Sequence, residues 1–292
     1  MKITGLGACV FDTLIISESY PVEDTKRKAK EVFVSGGGPV GNALVIAEKL
    51  GADCSVVGLF GDDAAADYLL SDFVKYGVNT ESAVKVKNAK SFTSYIILSE
   101  KDKTRTILFD RGSVPDDPNL LKTDKIAGAD ALHLDGNYLN CAIKAAKIAK
   151  ENGVKVSLDA GGLYDGIEKL LPYADILIPS AEFVKGLTGE KDLVTAAKKT
   201  YEKYKPEVFV VTDGSRGGYF FTENGDLRKY DSVKVEAIDT NGAGDTFHGA
   251  FLAAYLSGKN IENACDFAKK VAAYKCSKKG LREIEFKQFS LK

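Results

Sequence analysis

Asp239-Thr240-Asn241-Gly242-Ala243-Gly244-Asp245-Thr246-Phe247 is the stretch on which the reading of this chain turns. Three small residues in a row let the backbone come close to a ligand. Ala250, Phe251, Ala254 and Tyr255 then fall on one face of a helix that begins near residue 243. The first turn of a helix presents amide N–H groups without helical partners, an anion hole suited to phosphoryl oxygens. Asp245 falls in that turn, where the helix dipole should keep its carboxylate ionised. An ionised carboxylate beside an anion hole is a poor phosphate ligand but a sensible acceptor for a hydroxyl proton. A simple helix cap would explain Asp245, but not the Gly-Ala-Gly before it with Asp239 in the same turn. No G-x-x-x-x-G-K-[ST] loop occurs in the chain.

Outward from this stretch, strand and helix patterns alternate. Strands are expected at 131–134, 155–158, 176–178 and 208–211, with helices at 138–151, near 166–171, at 181–187 and at 191–204. A hairpin around Asn224-Gly225 and two closing helices, near 243–257 and 261–277, complete this half. On the N-terminal side, residues 2–9 read as a strand. The periodicity turns helical at Asn42 and ends at Leu50-Gly51, the apolar run 54–60 reads as a buried strand, and a helix follows at 63–76. The pattern predicts an α/β fold: a mostly parallel central sheet with helices on both faces, in a single domain over residues 1–292. Segments 12–34 and 81–112 stand outside the alternation; they are rich in Val, Thr, Ile and Tyr and are expected to form a small β-sheet lid, 81–112 as an antiparallel ribbon.

Composition bounds the function. The chain has 292 residues, 45% hydrophobic and 28% charged, with Lys+Arg 40 against Asp+Glu 41. A net charge of −1 speaks against a nucleic-acid or anionic-membrane partner. No apolar run approaches the ~20 residues of a spanning helix. Lys2 and the apolar stretch to Phe11 loosely resemble a signal peptide, but Asp12 ends the stretch and a first strand fits better, so a cytoplasmic location is expected. Cys9, Cys54, Cys141, Cys265 and Cys276 are scattered without C-x-x-C and read as reduced thiols; His133 and His248 make no zinc pattern.

A second glycine-rich segment, Gly36-Gly37-Gly38-Pro39-Val40-Gly41, matches G-x-G-x-x-G, with Asp62 lying 21 residues beyond Gly41. By spacing this is a dinucleotide-binding candidate, and with it an oxidoreductase. A polar, interrupted segment precedes it where that motif needs a buried strand, and a tight turn before a helix is the competing reading. His248, one helical turn beyond Asp245, invites a catalytic-dyad reading; a polar residue on a partly buried helix is the plainer one.

Taken together these residues resemble the ribokinase-like (PfkB) carbohydrate kinases. Asp239-Thr240-Asn241-Gly242-Ala243-Gly244-Asp245 is similar to that family's D-T-x-G-A-G-D signature. Gly37, Gly38, Asn42 and Ala43, leading to Leu50-Gly51, resemble its other signature, and Val210 to Gly217 resembles its nucleotide-site turn. The resemblance assigns the first glycines to a sugar pocket. It implies Asp245 as the base, Gly242, Ala243 and Gly244 as the anion hole, and Asp12, Gly37, Gly38 and Asn42 as sugar ligands, with Asp135 a further acidic contact. Arg105 and Arg111, in the lid, are expected to reach the phosphates; Thr212, Gly214 and Gly280 to border the nucleotide. One departure stands out: the family's N-x-x-E motif is here Ser180-Ala181-Glu182-Phe183, which resembles the ketohexokinase-like branch more than ribokinase proper and leaves the metal ligands unassigned.

The resemblance implies ATP and Mg²⁺ as cofactors and admits K⁺ at Asp239 and neighbouring carbonyls. The implied activity is phosphorylation of a primary hydroxyl of a sugar or sugar derivative of ketose or pentose type. A nucleoside kinase of the same family and a non-catalytic sugar-binding sensor are the alternatives. Apolar residues on the lid also suggest a homodimer formed through it.

Overall fold

The computed structural model describes residues 1–102 and 104–291. Lys103, inside the expected second lid segment, and Lys292 lie outside the described residues. In chain order the strands of the N-terminal half are β1 (Lys2–Leu6), β2 (Val10–Ser17), β3 (Glu31–Gly37), β4 (Asp53–Val56), β5 (Gly58–Phe60), β6 (Ala83–Lys85), β7 (Thr93–Ser99) and β8 (Thr104–Asp110). Helix α1 (Pro39–Lys49) follows β3, and α2 (Ala64–Lys75) follows β5. The C-terminal half runs β9 (Ala131–Leu134), α3 (Leu139–Glu151), β10 (Lys155–Ala160), β11 (Ile176–Pro179), α4 (Ala181–Thr188) and α5 (Leu193–Tyr204). It ends with β12 (Val208–Thr212), β13 (Gly218–Phe221), β14 (Leu227–Tyr230), α6 (Ala243–Leu256) and α7 (Ile261–Cys276).

Eight strands form the large sheet in the order β14-β13-β12-β11-β10-β9-β1-β4. Six are parallel, and the β12–β13–β14 pairings at one edge are antiparallel. Alternate residues explain why both faces are covered. Ile176, Ile178, Val208 and Val210 are buried in a core with α1, α2, α6 and α7, whereas Leu177, Phe209 and Val211 are buried in a second core with α3, α4 and α5. Two apolar faces on one strand cannot both be hidden from water without helices on each side. The strand order reverses beside β1, where β4 lies on one side and β9 on the other, so a crevice opens at the carboxyl ends of these strands.

A smaller sheet has the order β3-β2-β7-β8. Its outer pairs are antiparallel, while β2 and β7 run parallel, so the expected ribbon is a β7–β8 hairpin laid against β2. The expected bounds change in two places. The sheet reaches Val10 and Gly37, beyond 12–34. Residues 83–85 do not belong to it, because β6 pairs with β5 in a separate two-stranded sheet.

That pairing also splits the apolar run 54–60. The chain leaves β1 after Val57, whose N–H reaches the Gly5 carbonyl at 2.9 Å, and turns to β6. Near 166–171 there are two short 3₁₀ turns, Ile167–Lys169 and Leu171–Tyr173, in place of a helix; Gly166 takes a φ of 80° and Pro172 removes an N–H donor. Helix α1 starts at Pro39, so Asn42 lies one turn inside the helix; its N–H bonds the Gly38 carbonyl at 2.8 Å. All five cysteines are free thiols, and no described helix is long and apolar enough to cross a membrane.

Candidate active site

The stretch from Asp239 enters α6 through Gly242, whose φ is 74°. That conformation favours glycine, and a Cβ there would also lie 2.4 Å from Leu281 Cδ1 and push that side-chain end aside. A Cβ on Gly244 would meet nothing within 4 Å, which leaves that side of the turn open. The ladder of α6 begins with the Thr246 N–H bonding the Gly242 carbonyl at 2.9 Å, so the amides of Gly244 and Asp245 precede it.

Asp245 is partly buried. Its Oδ2 accepts a 2.7 Å hydrogen bond from Asn42 Nδ2, which joins two segments 203 residues apart and leaves Oδ1 for another partner. Burial raises its carboxyl from 3.8 to about 6, while the Asn42 bond and His248 pull it down and the Asp159 and Asp135 carboxylates push it up. Desolvation outweighs the local donors and makes this carboxylate more basic than a free one. At neutral pH it remains mostly ionised.

Asp12, on β2, donates nothing and accepts 2.6 Å from Ser94 Oγ on β7. Burial lifts it to about 6 as well, against the lowering effects of Ser94 and Arg282. A Cβ on Gly37 would fall 1.9 Å from Asp12 Oδ2, and one on Gly36 2.0 Å from Arg282 Nη1; these glycines make room for charged side chains. Gly38, with φ 86°, turns β3 into α1, and a Cβ there would strike the Ala8 carbonyl at 2.3 Å.

Asp135 is buried at the end of β9, but its carboxylate is already engaged. Oδ2 accepts the Ala8 N–H at 2.8 Å and Oδ1 the Asn137 N–H at 2.9 Å. It fixes the turn after β1, and burial pushes its carboxyl above the usual range. The two arginines expected at the phosphates part company. Arg105 Nη1 donates to Thr240 Oγ1 at 3.1 Å, tying β8 to the loop that leads into α6. Arg111 instead lies over the rings of Phe92 (5.8 Å) and Tyr164 (5.7 Å), in a recess of about 600 Å³ that Asp245, Asn42 and Asp12 do not line.

Thr212 ends β12 and bridges Ser180, which caps α4. Gly214 (φ 55°) and Gly280 (φ 73°) both face open space, and the Gly280 N–H reaches Asp239 Oδ2 at 3.0 Å, so the C-terminal loop abuts the turn before α6.

Sequence reasoning missed several buried polar residues around this centre. Arg282, 2% exposed, pairs with Asp72 at 2.5 Å and donates to Asn42 Oδ1 and the Gly37 carbonyl, both at 3.3 Å. It thereby orients the amide that faces Asp245. His248 points to Asp159 Oδ1 at 3.2 Å and not to Asp245, which disposes of the dyad. Burial raises the Asp159 carboxyl, but His248, His133 and the Gly161 N–H together hold it below the usual range. Arg282 lies past the last helix, where no periodicity marks it. Lys275 carries a signal: it continues the buried stripe Ile261, Ala264, Ala268 and Val271 of α7.

Comparison with known proteins agrees with this geometry. Residues 2–287 match the family described as pfkB family carbohydrate kinase. A ribokinase of Staphylococcus aureus is 28% identical, over 96% of this chain and 94% of that protein. A ketohexokinase of Mus musculus is 25% identical, over 97% and 98%, so relatives of both branches match. The structure of Arabidopsis thaliana ribokinase complexed with ribose and ATP superposes with a TM-score of 0.83 at 26% identity, over 96% of this chain and 94% of that one. With its ribokinase-like fold and both signatures in one crevice, the chain belongs to the pfkB family and is a carbohydrate kinase.

Proposed function

We propose that this kinase transfers the terminal phosphoryl group of ATP to a primary hydroxyl of a ketose- or pentose-type sugar or sugar derivative. The observation that carries the proposal is the 2.7 Å contact between Asn42 and Asp245, which brings the pocket glycines and the anion hole to one carboxylate. Asp245 Oδ1 takes the hydroxyl proton, and the hydroxyl oxygen attacks the γ-phosphorus of ATP as its bond to the β,γ-bridging oxygen breaks and ADP leaves. A carboxyl near 6 suits this, since an effective general base titrates close to the working pH. The amides that follow Gly242, with Ala243 and Gly244, stabilise the charge on the transferring phosphate. Asp12, Gly37, Gly38 and Asn42 bind the sugar, and Asp135 holds the turn that faces it. Thr212, Gly214 and Gly280 border the nucleotide; the open space at both glycines is compatible with that.

Among the described residues no three His, Cys, Asp or Glu side chains cluster as a metal site. Mg²⁺ bound to the phosphates of ATP would neutralise phosphate charge there. The four-stranded sheet acts as the lid: Arg105 already bridges it to Thr240, and its closure would exclude water. Its exposed Val32, Tyr95, Leu108 and Phe109 suit a homodimer through this sheet, to be checked by the mass in solution at micromolar concentration.

The deciding experiment is ADP release with ATP and Mg²⁺ across ketoses, aldoses, polyols and nucleosides. Turnover with a sugar supports the proposal. Turnover with nucleosides alone would make the protein a nucleoside kinase, and tight sugar binding without turnover would make it a sensor.

A further inference from the structure

Lys275 is fully buried at the last turn of α7. Its ammonium donates to the Asp239 carbonyl at 2.8 Å and lies 3.3 Å from Asp239 Oδ2. The rest of Asp239 is equally committed: Oδ1 accepts the Asn241 N–H at 2.8 Å and Oδ2 the Gly280 N–H at 3.0 Å. The nearby Cys276 carbonyl is taken by the N–H groups of Ile238 (2.8 Å) and Asp239 (3.1 Å). These bonds tie the end of α7 to the turn that leads, three residues on, into Gly242.

K⁺ does not fit here. The carbonyl and carboxylate oxygens that would hold it already face a fully buried ammonium, and a second cation beside them would be repelled by the first. A buried ammonium normally loses its proton more readily, and burial does lower the pKa of Lys275, but Asp239 opposes that shift. The pair is mutually neutralised. We infer that Lys275 is a positioning residue that serves as the protein's own monovalent cation, holding the Asp239–Gly242 turn beneath the anion hole and making phosphoryl transfer independent of added K⁺.

The catalytic arm of this inference rests on the proposed kinase reaction, whereas its thermal arm does not. The test compares the wild-type protein with Lys275→Met in tetramethylammonium chloride, with KCl or NH₄Cl replacing it at constant ionic strength. For the wild type, neither the melting temperature nor the rate should depend on which cation is present. Lys275→Met should lose roughly 10²-fold in rate, the cost of misplacing catalytic groups by about an ångström. K⁺ or NH₄⁺, but not tetramethylammonium, should restore at least about tenfold of that loss and raise the variant's melting temperature, as a ligand bound only by the folded state does.

A wild-type rate that climbs several-fold with K⁺ would overturn the inference. So would a Lys275→Met protein that turns over normally, or one that K⁺ neither stabilises nor reactivates. Should Lys275→Met fail to fold, Lys275→Gln takes its place, keeping a donor without the charge; full K⁺-free activity in it refutes the role of the charge. If no acceptor is turned over, the melting comparison still decides.

Discussion

Removing the Asn42 side chain should move the acid limb of the reaction. Asn42 Nδ2 donates 2.7 Å to Asp245 Oδ2 and lowers a carboxyl that burial has raised to about 6. A hydrogen bond to a charged group is worth about 1.5–3 kcal/mol, and 1.36 kcal/mol is one pKa unit, so the bond sustains about one to two units. Asp245 is only partly buried, which places the shift near the lower end. In Asn42→Ala the midpoint should therefore rise from about 6 to about 7. At pH 6 about half of the wild-type carboxyl is ionised against about a tenth in the variant, and near pH 8 the two converge.

The assay is kcat/KM from ADP release between about pH 5.5 and 9, because that ratio reports groups of the free enzyme. Asp12 titrates in the same range in both proteins and cancels from their ratio. The variant's deficit should shrink about fivefold between pH 6 and 8, on top of any loss of sugar affinity that is independent of pH. A deficit constant across that range would refute the link between Asn42 and the proton affinity of Asp245.

Three further outcomes follow from the geometry. Gly242→Ala should lower both the melting temperature and the rate, since φ 74° costs an L-residue about 1–2 kcal/mol and its Cβ would press on Leu281. Gly244→Ala should melt like the wild type yet lose activity, because its Cβ enters only the open space assigned to phosphate; equal activity would move the anion hole elsewhere. Arg282→Met should cost about 3–5 kcal/mol in urea unfolding, by leaving Asp72 buried without its partner, and Asp72→Asn in the same background should recover part of it.

The central sheet could be read from the sequence because its strands state their burial directly. Ile176-Leu177-Ile178 and Val208-Phe209-Val210-Val211 are apolar on both faces, as strands of a parallel sheet covered on each side are. The turn proposed as the anion hole was legible for a similar reason: its Gly-Ala-Gly and the helix after it are adjacent in the chain, so a local pattern carries them. What joins the site together is not local. Asn42 and Asp245 are 203 residues apart, and Arg282 meets Asp72 and Asn42 across 210 and 240 residues. Periodicity contains no term for such contacts. The short strand β6 falls outside the four-stranded sheet for the same reason, since only its pairing with β5 reveals where it belongs. Lys275 is the instructive middle case: a charge on the apolar stripe of α7 is visible in the sequence, but its partner Asp239 is not.

The most direct test of the account compares the wild type with Asp245→Asn on the best acceptor found, measuring ADP release with ATP and Mg²⁺ at neutral pH. If Asp245 takes the hydroxyl proton, kcat should fall roughly 10²–10⁴-fold, the usual worth of a general base, while nucleotide binding and melting temperature stay near wild type. Near-normal turnover by Asp245→Asn would contradict the account and assign proton removal to another group.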